Sequence, residues 1–265
     1  MKRTLKLVLY YFGYQLAFTI VASVISVVLA HLGMVDKDVA LLNATTIALL
    51  LSGIMMGWHL IHFKYITFGW KSFGEVSAKS LWLSIPFILA SMVFINLCSE
   101  FIDLPNWMEN DFFAMSRNLF GILSVAVMAP VVEEFLFRGA IEGHLLRQGK
   151  KPWTAIFISA LVFGLIHINP AQVPFAFAIG LVFGWLYYRT GSMVPGILGH
   201  FINNSIACIQ MATLSKEELH TKTADMIGQE ATLALFLASF IVMAGLFLYM
   251  KKHLPEVPEY KEEII

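Results

Sequence analysis

The amino-acid sequence predicts an all-α fold, a polytopic membrane protein built as a bundle of about eight transmembrane helices. Of the 265 residues, 58% are hydrophobic and only 14% are charged, whereas a soluble domain has about a quarter charged residues. The mean hydropathy is +0.73. Apolar stretches close to the roughly 20 residues that cross a bilayer recur along the whole chain. Too few charges are present to cover a water-facing surface.

The first apolar stretch is longer than the about 7–15 residues of a secretory signal, and no small-x-small cleavage pattern closes it. We therefore expect a retained first helix. The fifth and sixth stretches are short and are separated by a tight turn at Asn169-Pro170. The predicted spans are 7–32, 40–62, 80–99, 118–138, 153–168, 172–188, 193–213 and 230–250. No soluble domain interrupts them, so residues 1–265 are expected to form a single integral membrane domain.

Lysine and arginine in the short connecting segments set the expected orientation. With the N-terminus in the cytoplasm, 14 of the 18 basic residues fall on the cytoplasmic side. The other basic residues are Lys37, Arg117, Lys216 and Lys222. Both termini are then cytoplasmic. The compact chain with minimal loops favours a bacterial cell membrane, and the zero net charge gives no indication of a nucleic-acid partner.

Polar clusters lie inside predicted spans, where an ionisable side chain costs about 2.5–3.5 kcal/mol on insertion scales. The first, in VVEEFLFRG, contains Glu133, Glu134 and Arg138. Glu134 and Arg138 are four residues apart on one helix face and can pair, whereas Glu133 lies about 100° round the helix. This geometry predicts that Arg138 anchors Glu134 and leaves Glu133 free for chemistry. The structural alternative is a juxtamembrane ion network.

Two further clusters follow in later spans. His167 lies one turn after Phe163 in an apolar run, and His200 lies one turn before Asn204, with Asn203 adjacent. The structural alternative for both is hydrogen bonding between packed helices. Together with the glutamate, however, these are the residue types that activate water and stabilise an oxyanion. Two histidines and one glutamate are also a permissible ligand set for a catalytic zinc ion.

The ordered motifs E-E-x-x-x-R, F-x-x-x-H and H-x-x-x-N resemble the signature of the CPBP family. That family comprises the CAAX prenyl endopeptidases of the Ras-converting type and the bacterial bacteriocin-processing or abortive-infection proteins. The motifs run from Glu133 to Arg138, from Phe163 to His167 and from His200 to Asn204. The resemblance covers about residues 118–210, the expected protease core. It implies an intramembrane endopeptidase with a cavity open to the cytoplasmic side.

The resemblance also implies a role for each motif residue. Glu133 and His167 would activate water, and His200 with Asn204 would stabilise the oxyanion. The second glutamate and the arginine of the first motif, Glu134 and Arg138, would support them. Within this resemblance a metal-free, glutamate-dependent mechanism is the favoured one, and the sequence agrees with it in having no HExxH pair. If a zinc ion is present, its ligands would be Glu133, His167 and His200.

The expected partners are the lipid bilayer and a peptide precursor or membrane protein as substrate. A prenylated CAAX substrate is less expected in a bacterium, and the sequence indicates neither substrate-binding residues nor an oligomeric state. One alternative is a non-catalytic immunity or partner-binding protein on the same scaffold. Another is a proton-coupled transporter that uses Glu133 and His167 as a relay. It is less favoured because the polar residues lie in one half of the chain only.

The segment AIEGHLLRQGKK, residues 140–151, is expected to form a short amphipathic cytoplasmic helix or turn. Counted from the cytoplasmic ends of their spans, Glu133 and His200 would then lie shallow, with His167 deeper by about 10 Å.

Overall fold

The structure, a computed structural model, describes residues 2–66 and 76–254. These residues form eleven helices and no strand, so the prediction of an all-α fold is confirmed. The helices are α1 (Lys2–His31), α2 (Lys37–His62), α3 (Ala78–Ser99), α4 (Glu109–Met115), α5 (Leu119–Arg147), α6 (Pro152–Leu165), α7 (Val173–Thr190), α8 (Val194–Thr213), α9 (Lys216–His220), α10 (Thr223–Ile227) and α11 (Gln229–His253).

Each of the predicted spans coincides with a helix. Helices α1, α2, α3, α5 and α11 are long and apolar enough to cross a membrane, and α6 is a shorter apolar helix. Helices α7 and α8, of 18 and 20 residues, coincide with the sixth and seventh predicted spans. The protein is therefore an integral membrane protein. Lys71 and Lys261, which the orientation prediction places in the cytoplasm, lie outside the described residues. The single domain and the orientation of the termini stay predictions.

Helix α5 continues to Arg147, so the prediction of a separate amphipathic segment over residues 140–151 is wrong. The apolar side chains of this stretch, Ile141, Leu145 and Leu146, are buried in the central core. The chain therefore gains packing contacts by extending the helix into the bundle. Within α5, Leu123–Met128 and Phe135–Glu142 are π-helical. Such wide turns are rare, and they occur frequently at functional sites.

The long α5 changes the expected depth of the polar residues. Glu133 is the middle residue of this 29-residue helix and is not shallow. It lies fourteen residues before Arg147, and His167 lies fifteen residues after Pro152, where α6 begins. At about 1.5 Å per residue, both are roughly 20 Å from the α5–α6 turn. The expected difference of about 10 Å between them therefore disappears.

A cluster of buried apolar side chains fills the space between α1, α2, α3, α5, α6, α7 and α11. Helix α8 packs against it with the partly buried Ile197 and Ile202. Phe137, Phe163 and Phe183 are among its largest fully buried members. This cluster lies around Glu134, Arg138 and Glu142 of α5, which are all 0% exposed.

The α6–α7 turn is anchored to the loop that follows α3. Asn169, 1% exposed, donates from Nδ2 to Asn106 Oδ1 at 2.7 Å. Its Oδ1 accepts a hydrogen bond from the backbone amide of Trp107 at 3.0 Å. The preceding residue, Ile168, has a positive φ of 58°. These contacts fix the backbone on which His167 lies.

Candidate active site

The charge pair expected from the four-residue spacing is present in α5. Arg138 Nε lies 3.1 Å from Glu134 Oε2, and both side chains are 0% exposed. The contact is an ion pair without the in-line geometry of a hydrogen bond. Arg138 also donates to the Gly180 carbonyl at 3.4 Å, and its guanidinium lies 4.9 Å from the centre of the Phe163 ring. Charge pairing and the aromatic face together offset the cost of burying the cation.

A glycine on α8 makes room for the Glu134 carboxylate. A Cβ atom at Gly196 would lie 2.5 Å from Glu134 Oε2, which is closer than any real contact of that kind. The absence of a side chain at Gly196 therefore lets α8 approach α5 closely, and it brings His200, one turn further along α8, to the carboxylates.

His200 lies between the two glutamates. Its Nε2 is 3.8 Å from Glu133 Oε2, and its Nδ1 is 3.6 Å from Glu134 Oε1. The two ring nitrogens of His200 face different directions. The imidazole therefore lies close to the carboxylates of both Glu133 and Glu134, which are neighbours in sequence on α5. Helix geometry alone suggested that Glu133 points away from Glu134. In the structure both carboxylates face the same imidazole, that of His200. Phe183 stacks on the imidazole at 5.8 Å, and Phe163 meets it edge-on at 5.6 Å.

His167 lies in the turn after α6, two residues beyond the helix end at Leu165. Its Nδ1 is 2.8 Å from the Phe163 carbonyl oxygen. Because a carbonyl only accepts hydrogen bonds, Nδ1 carries the proton and, in the neutral ring, Nε2 is left as the acceptor. The Phe163 ring contacts His167 at 5.1 Å and His200 at 5.6 Å between centroids. The two imidazoles therefore flank one phenylalanine.

Asn204 lies one turn after His200 and is bonded to the backbone of α5. Its Nδ2 donates to the Val125 carbonyl at 2.8 Å, and its Oδ1 accepts from Asn203 Nδ2 at 3.1 Å. One of its two N–H groups is thus committed to the first π-helical segment. The amide has a second N–H that could serve a ligand.

Sequence reasoning missed Tyr11 and Glu142. The Tyr11 hydroxyl donates to Glu133 Oε1 at 3.0 Å. The sequence signal is a phenol within an apolar span, and this signal does not identify Glu133 as the partner.

Glu142 is 0% exposed, and both its carboxylate oxygens are without a hydrogen-bond partner in residues 2–66 and 76–254. It lies four residues after Arg138, so the repeated four-residue spacing could have indicated it. Gly184 leaves space for it, since a Cβ there would lie 2.7 Å from Glu142 Oε2.

The structure thus brings Glu133, Glu134, Arg138 and His200 into direct contact, while His167 joins them through a shared aromatic ring. The conditional zinc ligands, Glu133, His167 and His200, do not form an assembled donor set. Across the described parts of the chain, no group of three or more His, Cys, Asp or Glu side chains is placed to hold a metal ion.

The fold and the site define a class: an all-α integral membrane protein with a buried glutamate–histidine–arginine centre. Residues 115–206 match the model of the Rce1-like type II CAAX prenyl endopeptidases. This segment contains every charged and histidine residue of the site. The family resemblance indicated by the three sequence motifs is therefore confirmed for residues 115–206.

Two curated bacterial proteins are similar to part of the chain. YdiL of Bacillus subtilis (strain 168) is 26% identical over 105 residues, which is 40% of this chain and 43% of that protein. The membrane-embedded CAAX protease MroQ of Staphylococcus aureus (strain USA300) is 30% identical over 93 residues, 33% of this chain and 38% of that protein. The chain thus spans less than half of the length of these relatives. No solved structure matches.

Proposed function

We propose that this protein is an intramembrane endopeptidase that hydrolyses a peptide bond in a membrane-associated or peptide-precursor substrate. One observation carries the proposal. A buried carboxylate, Glu133 at 7% exposed, faces the imidazole of His200 inside the segment that matches Rce1-like endopeptidases. The similarity to a membrane-embedded CAAX protease supports the same activity.

In this proposal Glu133 is the general base. Its carboxylate takes a proton from water as the water oxygen attacks the carbonyl carbon of the scissile bond. His167, through its accepting Nε2, orients the same water. When the tetrahedral intermediate collapses, the C–N bond breaks and the leaving amine takes the proton from Glu133. A positioned base of this kind contributes about 10²–10⁴ in rate.

The oxyanion of the tetrahedral intermediate would be stabilised by His200 and by the second N–H of Asn204. Such donors act strongly where water is excluded, and His200 is only 5% exposed. Glu134 and Arg138 support this arrangement, because Glu134 Oε1 faces the other ring nitrogen of His200 at 3.6 Å, and this contact favours the ring orientation in which Nε2 faces Glu133.

The proposed setting is a bacterial cell membrane with both termini in the cytoplasm and the site reached from the cytoplasmic side. Glu133 and Glu134 lie halfway along α5. The peptide bond to be cleaved must therefore enter the bilayer. A peptide precursor or the membrane-proximal segment of another membrane protein meets that requirement.

The proposal is tested by comparing membrane-associated and secreted peptides, by mass spectrometry, between cells that contain wild-type protein and cells that contain the Glu133→Gln variant. A cleavage product that depends on Glu133 supports the endopeptidase. Identical peptide profiles would instead favour the non-catalytic, partner-binding alternative.

Asn204→Ala is expected to lower the cleavage rate about 10²–10³-fold, the usual effect of removing one oxyanion donor. The substitution also removes the bond to the Val125 carbonyl. That bond contributes only about 0.5–1.5 kcal/mol to stability, which thermal unfolding in detergent measures separately. Gln210→Ala, an exposed amide on the same helix, is the matched control and should cleave normally. A wild-type rate for Asn204→Ala would remove Asn204 from the site.

The proposed mechanism uses no metal. Purified active protein is accordingly expected to contain far less than one zinc ion per chain by elemental analysis, and dialysis against a chelator should leave its cleavage rate unchanged. Stoichiometric zinc that is lost together with activity, and restores it when added back, would refute the metal-free mechanism.

A further inference from the structure

Helix α1 packs against the core through its first turns only. Its buried residues there are Thr4, Leu7 and Tyr11, at spacings of three and four, which place them on one helix face. Beyond Tyr11, only Ser26 is buried within this 30-residue helix. The contact of α1 with the core is therefore concentrated between Thr4 and Tyr11.

The Tyr11 side chain reaches the proposed catalytic base. Its hydroxyl donates to Glu133 Oε1 at 3.0 Å across 122 residues of sequence, in a buried contact. The other carboxylate oxygen, Oε2, faces His200 Nε2 at 3.8 Å. Each oxygen of Glu133 thus has a different neighbour, a phenol from α1 on one side and an imidazole from α8 on the other. Tyr11 lies well before residues 115–206, the segment that matches the family.

We infer that Tyr11 is a positioning residue for Glu133. This inference rests on the proposed endopeptidase function. The phenol fixes the orientation of the carboxylate, so that Oε2 stays directed toward the imidazole and the space where water reacts. It also donates a hydrogen bond to a charged acceptor, which is stronger than a bond between neutral groups. Helix α1 therefore completes a site whose other polar residues lie in α5, α8 and the turn after α6.

Tyr11→Phe tests the inference, because it keeps the ring and removes the hydroxyl. With the peptide whose cleavage depends on Glu133 as substrate, kcat is expected to fall about 10- to 100-fold, the fold-change that corresponds to losing a hydrogen bond to a charged group. KM should stay unchanged, because the hydroxyl serves the chemical step and does not contact the substrate. Tyr10→Phe is the control: its ring contacts His59 and Lys6 instead of Glu133, so kcat should remain within about twofold of wild type.

A second measurement needs no substrate. Tyr11→Phe should lower the melting temperature in detergent, since it leaves a buried carboxylate without its donor. In a Glu133→Leu background the same substitution should have no such effect. Equal destabilisation in both backgrounds would overturn the inference, because the hydroxyl would then serve some other group.

The two proposals fail in different ways. If Glu133→Gln is inactive while Tyr11→Phe retains the wild-type kcat, the positioning role is wrong and the endopeptidase stands. If Glu133→Gln itself cleaves at the wild-type rate, the proposed function fails, whatever the melting temperatures show about the contact.

Discussion

Glu133→Gln is expected to abolish cleavage while leaving the protein folded. The amide has the shape of the carboxylate but cannot take a proton from water, so the rate should fall by at least about 100-fold, within the 10²–10⁴ that a general base contributes. The amide oxygen can still accept the hydrogen bond from Tyr11, which lies 3.0 Å from Glu133 Oε1. The packing around residue 133 is therefore preserved. The accumulated precursor and the missing product are measured by mass spectrometry of membrane and secreted peptides.

The matched control for this variant is Glu230→Gln, at an exposed position of α11. It makes the same chemical change outside residues 115–206, the segment that contains the charged residues of the site, and should process the substrate as the wild type does. Expression level and melting temperature in detergent should be alike for all three proteins. If Glu133→Gln produced the wild-type peptide pattern, another group would have to activate the water, and the role given to Glu133 would be wrong.

Arg138→Met is expected to cause the largest loss of stability. Arg138 and Glu134 are both 0% exposed and lie 3.1 Å apart. Removing the cation leaves the buried Glu134 carboxylate without its counter-charge, which typically costs about 3–5 kcal/mol. The contacts of the guanidinium with the Gly180 carbonyl and the Phe163 ring are lost as well. Thermal unfolding in detergent and the yield of monodisperse protein measure the effect.

A second substitution separates charge from packing. Adding Glu134→Gln to Arg138→Met removes the uncompensated charge, so part of the lost stability should return. Recovery should be incomplete, because the introduced amide would still lack a donor and the aromatic contact of Arg138 would still be missing. A melting temperature of Arg138→Met equal to that of the wild type would show that this buried ion pair within α5 contributes nothing to the stability of the protein.

The sequence was sufficient for the parts of the fold that depend on local signals. The length and polarity of each apolar stretch predicted all the spans as helices, since crossing a bilayer requires a certain length. The spacing of Glu134 and Arg138 predicted their ion pair, because residues four apart share a helix face. These are properties of one segment at a time.

Contacts between distant helices could not be predicted in the same way. The Tyr11–Glu133 bond joins residues 122 positions apart, and no local pattern specifies such a pairing. The position of His200 between two carboxylates depends on how closely α8 approaches α5 at Gly196. Residues 140–147 misled the prediction because their mixed polarity is typical of a membrane interface. In the structure Glu142 and Arg138 are buried together along the same helix.

The π-helical segments of α5 have a consequence for how a substrate of the proposed endopeptidase could enter the bundle. The Val125 carbonyl, in the first segment, accepts the side-chain amide of Asn204, and the Phe137 carbonyl, in the second, accepts the hydroxyl of Ser159 at 2.9 Å. These two hydrogen bonds link α8 and α6 to fixed positions along the axis of α5. One helical turn is about 5.4 Å, so a slip of α8 by one turn would break its bond and carry His200 away from both glutamates. If the protein is the proposed endopeptidase, a substrate cannot therefore be admitted by axial sliding of α8, because that movement would separate the two residues proposed to act on the peptide bond, Glu133 and His200.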